Sequence, residues 1–173
     1  QACQIRLHAN DISPDEKTYY WISSPQERHG ASSGTPIHFT FVKEKLPPGE
    51  TVLITEGALK ADTVVRFRPN ANVIATSGVT CSHREPVKAA RPYTALIAFD
   101  ADYKTNPAVC RQLARLIVQR LNDSREQQLR STTNVLCWNG PKGIDDAVRA
   151  NVGLRSLRSL NGTRLLEMNL STK

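Results

Sequence analysis

From Thr51 onward, short apolar runs alternate with longer segments whose apolar residues recur every three or four positions. The runs TVLIT, NVIAT, TALIAF and TNVLCW are each bounded by polar or glycine-rich residues, and they predict four buried strands. GALKADTVVRF, between the first two, predicts a helix. NVIAT is followed by the loop SGVTCSHRE and a short basic segment. After TALIAF a long helix is predicted, with Asn106 as N-cap and Pro107 at the first helical position. Val109, Leu113, Leu116, Ile117 and Leu121 fall on one apolar stripe of that helix, and Arg111 and Arg115 on another, exposed and basic face. IDDAVRAN begins a further helix. Strands alternating with helices imply an α/β fold with a mostly parallel sheet and helices packed on its faces.

Residues 1–48 have a different texture. KTYYWISS, RHGASSGTP and IHFTFVKEKLPPGE alternate aromatic and β-branched residues around a Gly/Ser/Pro-rich stretch, which predicts strands in a hairpin or small sheet. Pro47-Pro48-Gly49 marks a boundary. The chain thus reads as a β-rich N-terminal extension (1–48), an α/β domain with a four-stranded sheet (49–150), and a basic C-terminal tail (151–173). The weak periodicity of the tail suggests one more helix.

Composition narrows the class. The 173 residues suit one domain with an appendage, and 39% hydrophobic with 23% charged residues is ordinary for a soluble protein. The net charge of +7 favours an anionic partner, nucleic acid foremost, against the plain alternative of a solvated basic surface. No stretch approaches the roughly 18 apolar residues of a membrane span, and no signal-peptide pattern opens the chain. The expectation is a cytoplasmic protein without a membrane partner. An opening Gln1 rather than Met reads as a fragment of something longer. Cys3, Cys81, Cys110 and Cys137 are scattered without a C-x-x-C pair and read as reduced thiols.

The chemistry collects at strand ends. TVLIT ends in Glu56-Gly57, TALIAF in Asp100-Ala101-Asp102, and the loop after TNVLCW carries Lys142-Gly143-Ile144-Asp145-Asp146. Ligands of a parallel α/β sheet bind beyond the carboxyl ends of its strands. One acid there would be read as a helix cap, but three acidic strand ends on one edge suit one or two magnesium ions. Residues two apart can face the same side as the chain leaves the pleat, so Asp100 and Asp102 could share a metal. Gly57 permits a sharp turn and leaves room for a ligand. Lys60, one turn beyond Glu56, reads either as a phosphate contact or as a solvated lysine.

These motifs resemble the TOPRIM domain, shared by topoisomerases of types IA and II, bacterial primases and several nucleases. In that pattern a Glu, often followed by Gly, closes the first strand, and an Asp-x-Asp follows a later one. The counterparts here are Glu56-Gly57 and Asp100 with Asp102, and KGIDDAV looks like the third acidic motif of primase-like members. The match covers about residues 50–150. WISSPQERHGASSGTPIHF, ITEGALKAD, IAFDADYKTNPAV and WNGPKGIDDAV together look closer still to a TOPRIM-containing family found with plasmids and mobile elements, often beside helicase or other replication modules. Some primase-like members place an acid where this chain has Gly143, which leaves Asp145 or Asp146 to face the metal, with Asp145 favoured. The arginine-and-tyrosine signature of strand-cleaving topoisomerases is absent; Tyr19, Tyr20, Tyr93 and Tyr103 read as core or loop residues.

The resemblance implies a TOPRIM-like, Rossmann-like fold and metal-dependent phosphoryl or nucleotidyl transfer on nucleic acid, as in a primase-like module of a plasmid or mobile-element replication protein. Glu56, Asp100 and Asp102 would be catalytic and, with Asp145, would hold Mg²⁺ or Mn²⁺. Lys60, Arg111, Arg115 and Lys142 would contact phosphates of DNA, single-stranded template or duplex, or of nucleotides, with a helicase module as a further partner. Arg28 within RHGASSG offers a phosphate contact, although a plain hairpin turn is the simpler reading. A nuclease using the same acids and a non-catalytic nucleic-acid-binding scaffold are the alternatives.

Overall fold

The computed structural model describes residues 4–6, 19–22, 25–26, 28–30, 34–40, 46–129 and 132–158. The chain forms two compact units, Gln1–Pro36 and Ile37–Lys173. In the first, β1 (Gln4–Arg6) pairs antiparallel with β2 (Tyr19–Trp21), Ile5 opposite Tyr20. Arg28 and His29 lie in a turn, but among the described residues β2 pairs only with β1, so this is not the hairpin turn expected there.

The second unit is an α/β sandwich around a six-stranded, mostly parallel sheet. Its strands are β3 (Ile37–Thr40), β4 (Thr51–Glu56), β5 (Val73–Thr76), β6 (Thr94–Ile97), β7 (Thr133–Cys137) and β8 (Arg155–Arg158), in the spatial order β3-β5-β4-β6-β7-β8. The four runs expected from the sequence form the parallel centre; β3 and β8 close its two edges antiparallel. Both edge strands lie outside the 49–150 span. In the tail, Arg155–Arg158 is therefore a strand rather than helix, because its backbone completes the open edge of β7. Residues 159–173 lie outside the described residues.

Alternation along the strands sorts the helices between two faces. Val52, Ile54, Ile74, Ala95 and Ile97 point to one face, where they meet Val87 of α2 (Arg84–Ala89) and Val109, Leu113, Leu116 and Ile117 of α3 (Pro107–Glu126). Leu53, Val73, Ala75 and Leu136 point to the other, against Ala61 and Val64 of α1 (Ala58–Phe67) and Ile144, Ala147 and Val148 of α4 (Ile144–Arg149). The short basic segment of the sequence is thus α2. The described helices include none long and apolar enough to cross a membrane.

Connections from β4 run to β5 on one side, whereas β6 lies on its other side and continues to β7. The order reverses between β4 and β6, and a crevice opens at such a point, beyond the strands' carboxyl ends. The two strands are direct neighbours, Leu53 beside Leu96 and Ile54 beside Ile97, and the amide of Ala98 extends the ladder to the Ile54 carbonyl at 2.8 Å. Glu56 and Asp100 therefore leave the sheet side by side.

Helix α3 starts directly after the acidic turn. Asn106 caps it, its Oδ1 accepting from the amides of Ala108 at 3.0 Å and Val109 at 3.5 Å, and Pro107 occupies the first position as expected. Asn106→Ala should lower unfolding free energy by about 1 kcal/mol in urea denaturation. An unchanged midpoint would show that the cap contributes nothing.

Candidate metal and phosphoryl-transfer site

Each strand end reaches the crevice by a different local device. Beyond β4, Gly57 takes φ +79°, a left-handed conformation that other residues adopt only with strain, and its carbonyl accepts from the amides of Lys60 and Ala61. A Cβ at Gly57 would meet nothing within 4 Å, so the glycine serves conformation. This tight entry into α1 sends Lys60 back over Glu56.

Beyond β6 the chain makes a single 3-10 turn, Ala101–Lys104. The Tyr103 amide donates to the Asp100 carbonyl at 3.1 Å, and those of Thr105 and Asn106 donate to the Asp102 carbonyl at 2.9 and 2.6 Å. Tyr103 is buried and anchors the turn; its hydroxyl meets Cys137 Sγ at 3.1 Å, and burial pushes the phenol well above its usual range. Beyond β7, the Trp138 indole donates to the Pro141 carbonyl at 2.7 Å, and the Ala101 amide donates to the Lys142 carbonyl at 2.8 Å. That last bond stitches the third acidic loop to the second.

The result is a chain of alternating charges. Lys60 Nζ donates to Glu56 Oε1 at 2.9 Å and to Asp100 Oδ1, and so bridges β4 and β6. Lys142 Nζ lies 3.1 Å from Asp102 Oδ2 and 3.8 Å from Asp100 Oδ2. Side-chain exposures of 13% for Asp100, 17% for Glu56 and 24% for Lys60 place this trio under partial shelter, whereas Lys142 at 66% arrives from solvent. Asp145 Oδ1 folds back over Gly143, onto the space a Cβ there would fill, and that same position is 3.6 Å from Lys60 Cε. A side chain at Gly143 would meet the Asp145 carboxylate, which occupies that space. Asp146 is exposed and pairs with Arg149 at 3.5 Å.

Burial raises the Glu56 carboxyl above its ordinary range; Lys60 pulls it down, and the neighbouring Asp100 pushes it up again. Burial disfavours the Lys60 ammonium, but hydrogen bonds and charge from Asp100 and Glu56 together outweigh that and hold its proton more tightly than usual. The hydrogen bond to Asp102 does the same for Lys142.

Among the described residues, no three His, Cys, Asp or Glu side chains are grouped as a metal centre; ammonium groups stand between the carboxylates instead. The donor set nevertheless fits a hard cation. It offers only carboxylate oxygens, and Asp102 Oδ1 is buried without a hydrogen-bond partner.

Neither a family model nor a curated protein matches the chain. A solved structure, that of bacteriophage T7 lagging-strand DNA polymerase interacting with primase domains of two gp4 subunits bound to an RNA/DNA hybrid and dTTP, contains a chain similar at 12% identity and TM-score 0.42. The similarity covers 71% of the present chain and 55% of that one. Likeness at this level carries neither fold nor chemistry across.

The structure thus brings Glu56, Asp100, Asp102, Lys60 and Lys142 together, with Asp145 beside them. Arg111 and Arg115 stand apart on the exposed face of α3, where they line a surface hollow of about 470 Å³ with Val118 and Gln119. A second groove, about 460 Å³, runs between α2 and α3 and adds Arg84 and Lys88, which the sequence did not single out. The ion pairs of Lys60 were equally missed, although Glu56 and Lys60 are four residues apart, the spacing of a common ion pair.

The raised Glu56 carboxyl has a stability consequence. A folded group that holds its proton more tightly than the unfolded chain favours the fold in acid, and the contribution is lost as pH climbs through the raised folded value. Ionisation of Glu56 therefore costs stability in the metal-free protein. Glu56→Gln should melt higher than wild type at neutral pH in chelator, and the gap should close below about pH 4.5. A lower melting temperature for Glu56→Gln at neutral pH would mean that the lysine's attraction outweighs burial.

Proposed function

We propose that this chain carries a divalent-metal-dependent phosphoryl- or nucleotidyl-transfer centre acting on nucleic acid, a primase-like module of a plasmid or mobile-element replication protein. The observation that supports it is the meeting of Glu56, Asp100 and Asp102 at the reversal of strand order. The TOPRIM-like order of the motifs points the same way. Asp100 and Asp102 would hold Mg²⁺ or Mn²⁺, with Glu56 as ligand or general acid/base and Asp145 completing the set. When bound there, such an ion supplies charge stabilisation to the attacking and leaving oxygens. The chain's own part is to fix the carboxylates through the 3-10 turn and the β4–β6 ladder. Arg111 and Arg115 on α3, with Lys142 at the crevice, offer cationic contacts for a nucleic-acid backbone. A 3′-hydroxyl in the crevice would make the reaction primer synthesis; water in its place would make it strand cleavage.

One observation favours a second reading. Glu56, Asp100 and Asp102 each have a lysine within ion-pair distance, an arrangement that a non-catalytic nucleic-acid-binding module could keep for stability alone.

Nucleotide incorporation and strand cleavage on unprimed, primed and nicked DNA with Mg²⁺ or Mn²⁺ separate these readings. Glu56→Gln should abolish turnover and leave nucleic-acid affinity little changed. Equal inactivity of wild type and Glu56→Gln, with equal DNA binding, would establish the scaffold reading instead.

A further inference from the structure

We propose that Lys60 is the resident cation of this site: its ammonium joins Glu56 and Asp100 in the position a divalent ion would take, and the two cations exclude each other. The inference rests on the metal-site reading above and assigns a regulatory part to a residue of this chain.

The geometry carries it. Nζ bonds Glu56 on β4 and Asp100 beyond β6 at once, so it stands between two neighbouring strand ends whose carboxylates would hold a divalent ion. The three side chains are partly sheltered, which strengthens both the attraction of each cation for the carboxylates and the repulsion between cations. Without a cation, two carboxylates on adjacent strands would face each other across the crevice. Lys60 removes that repulsion in the metal-free protein and thereby keeps the site assembled.

A displaced Lys60 has somewhere to go. Asp145 Oδ1 occupies the space of an absent Cβ at Gly143, and Lys60 Cε lies 3.6 Å from that same position, so a third carboxylate stands close to the lysine stem. A lysine released from Glu56 and Asp100 turns to this side, where Asp145 or a substrate phosphate receives it.

The test uses the whole chain as wild type, Lys60→Met and Lys60→Arg, with Mn²⁺ affinity by calorimetry and melting in chelator and in Mn²⁺. Lys60→Met keeps the stem and loses the charge; it should melt below wild type in chelator, recover in Mn²⁺, and bind Mn²⁺ at least about tenfold more tightly. Lys60→Arg keeps the competing charge and should retain an affinity near wild type. Equal Mn²⁺ affinity of wild type and Lys60→Met would overturn the role of Lys60 and leave the metal site standing. Absence of Mn²⁺ binding in all three would overturn both. If Lys60→Met does not fold in chelator, folding in Mn²⁺ supports the proposal, and failure in both conditions overturns it.

Discussion

Glu56 and Asp100 leave adjacent parallel strands on the same edge of the sheet, and one ammonium group holds them together. Carboxylates so placed and partly sheltered from water repel one another, and positive charge between them offsets that repulsion. Lys60 supplies that charge from the first turn of α1, because Gly57 turns the chain sharply enough to bring the helix back over its own strand. Lys142 repeats the device for Asp102 from the neighbouring loop.

The rest of the second unit serves this edge. The sheet's order reverses between β4 and β6, so the crevice and the two carboxylates coincide. The apolar layers beneath, Val52 and Ile54 on one side and Leu53 on the other, leave the strand ends little freedom to separate. Tyr103 fixes the acidic turn by burial, and the cap on α3 sets where that turn must stop. Stability and site geometry therefore depend on the same few residues.

Much of this was legible in the sequence because it is local. Apolar runs marked the four central strands; Asn106-Pro107 marked the start of α3, and Glu56 and Asp100-Ala101-Asp102 marked their own strand ends. The two edge strands were not legible as part of the sheet. Ile37–Thr40 and Arg155–Arg158 are four residues each, and their place is set by pairing partners far away in sequence. Helix α2 hid for a similar reason, with only six residues and Pro86 among them. The lysine bridge needed knowledge that β4 and β6 touch, which no local pattern supplies; without it Lys60 could be read as an ordinary surface lysine. The Asp145 carboxylate folded over Gly143 was not legible either, because its place depends on how the loop turns back on itself.

The central claim, that this carboxylate edge is a divalent-cation site, is tested most directly by paramagnetic broadening of backbone amide resonances during Mn²⁺ titration. The account predicts selective loss of the Gly57, Ala101, Asp102 and Gly143 amides, with the far end of α3 unaffected. Broadening centred on Asp123 and Glu126 at the α2–α3 groove, with the four crevice amides intact, would contradict it.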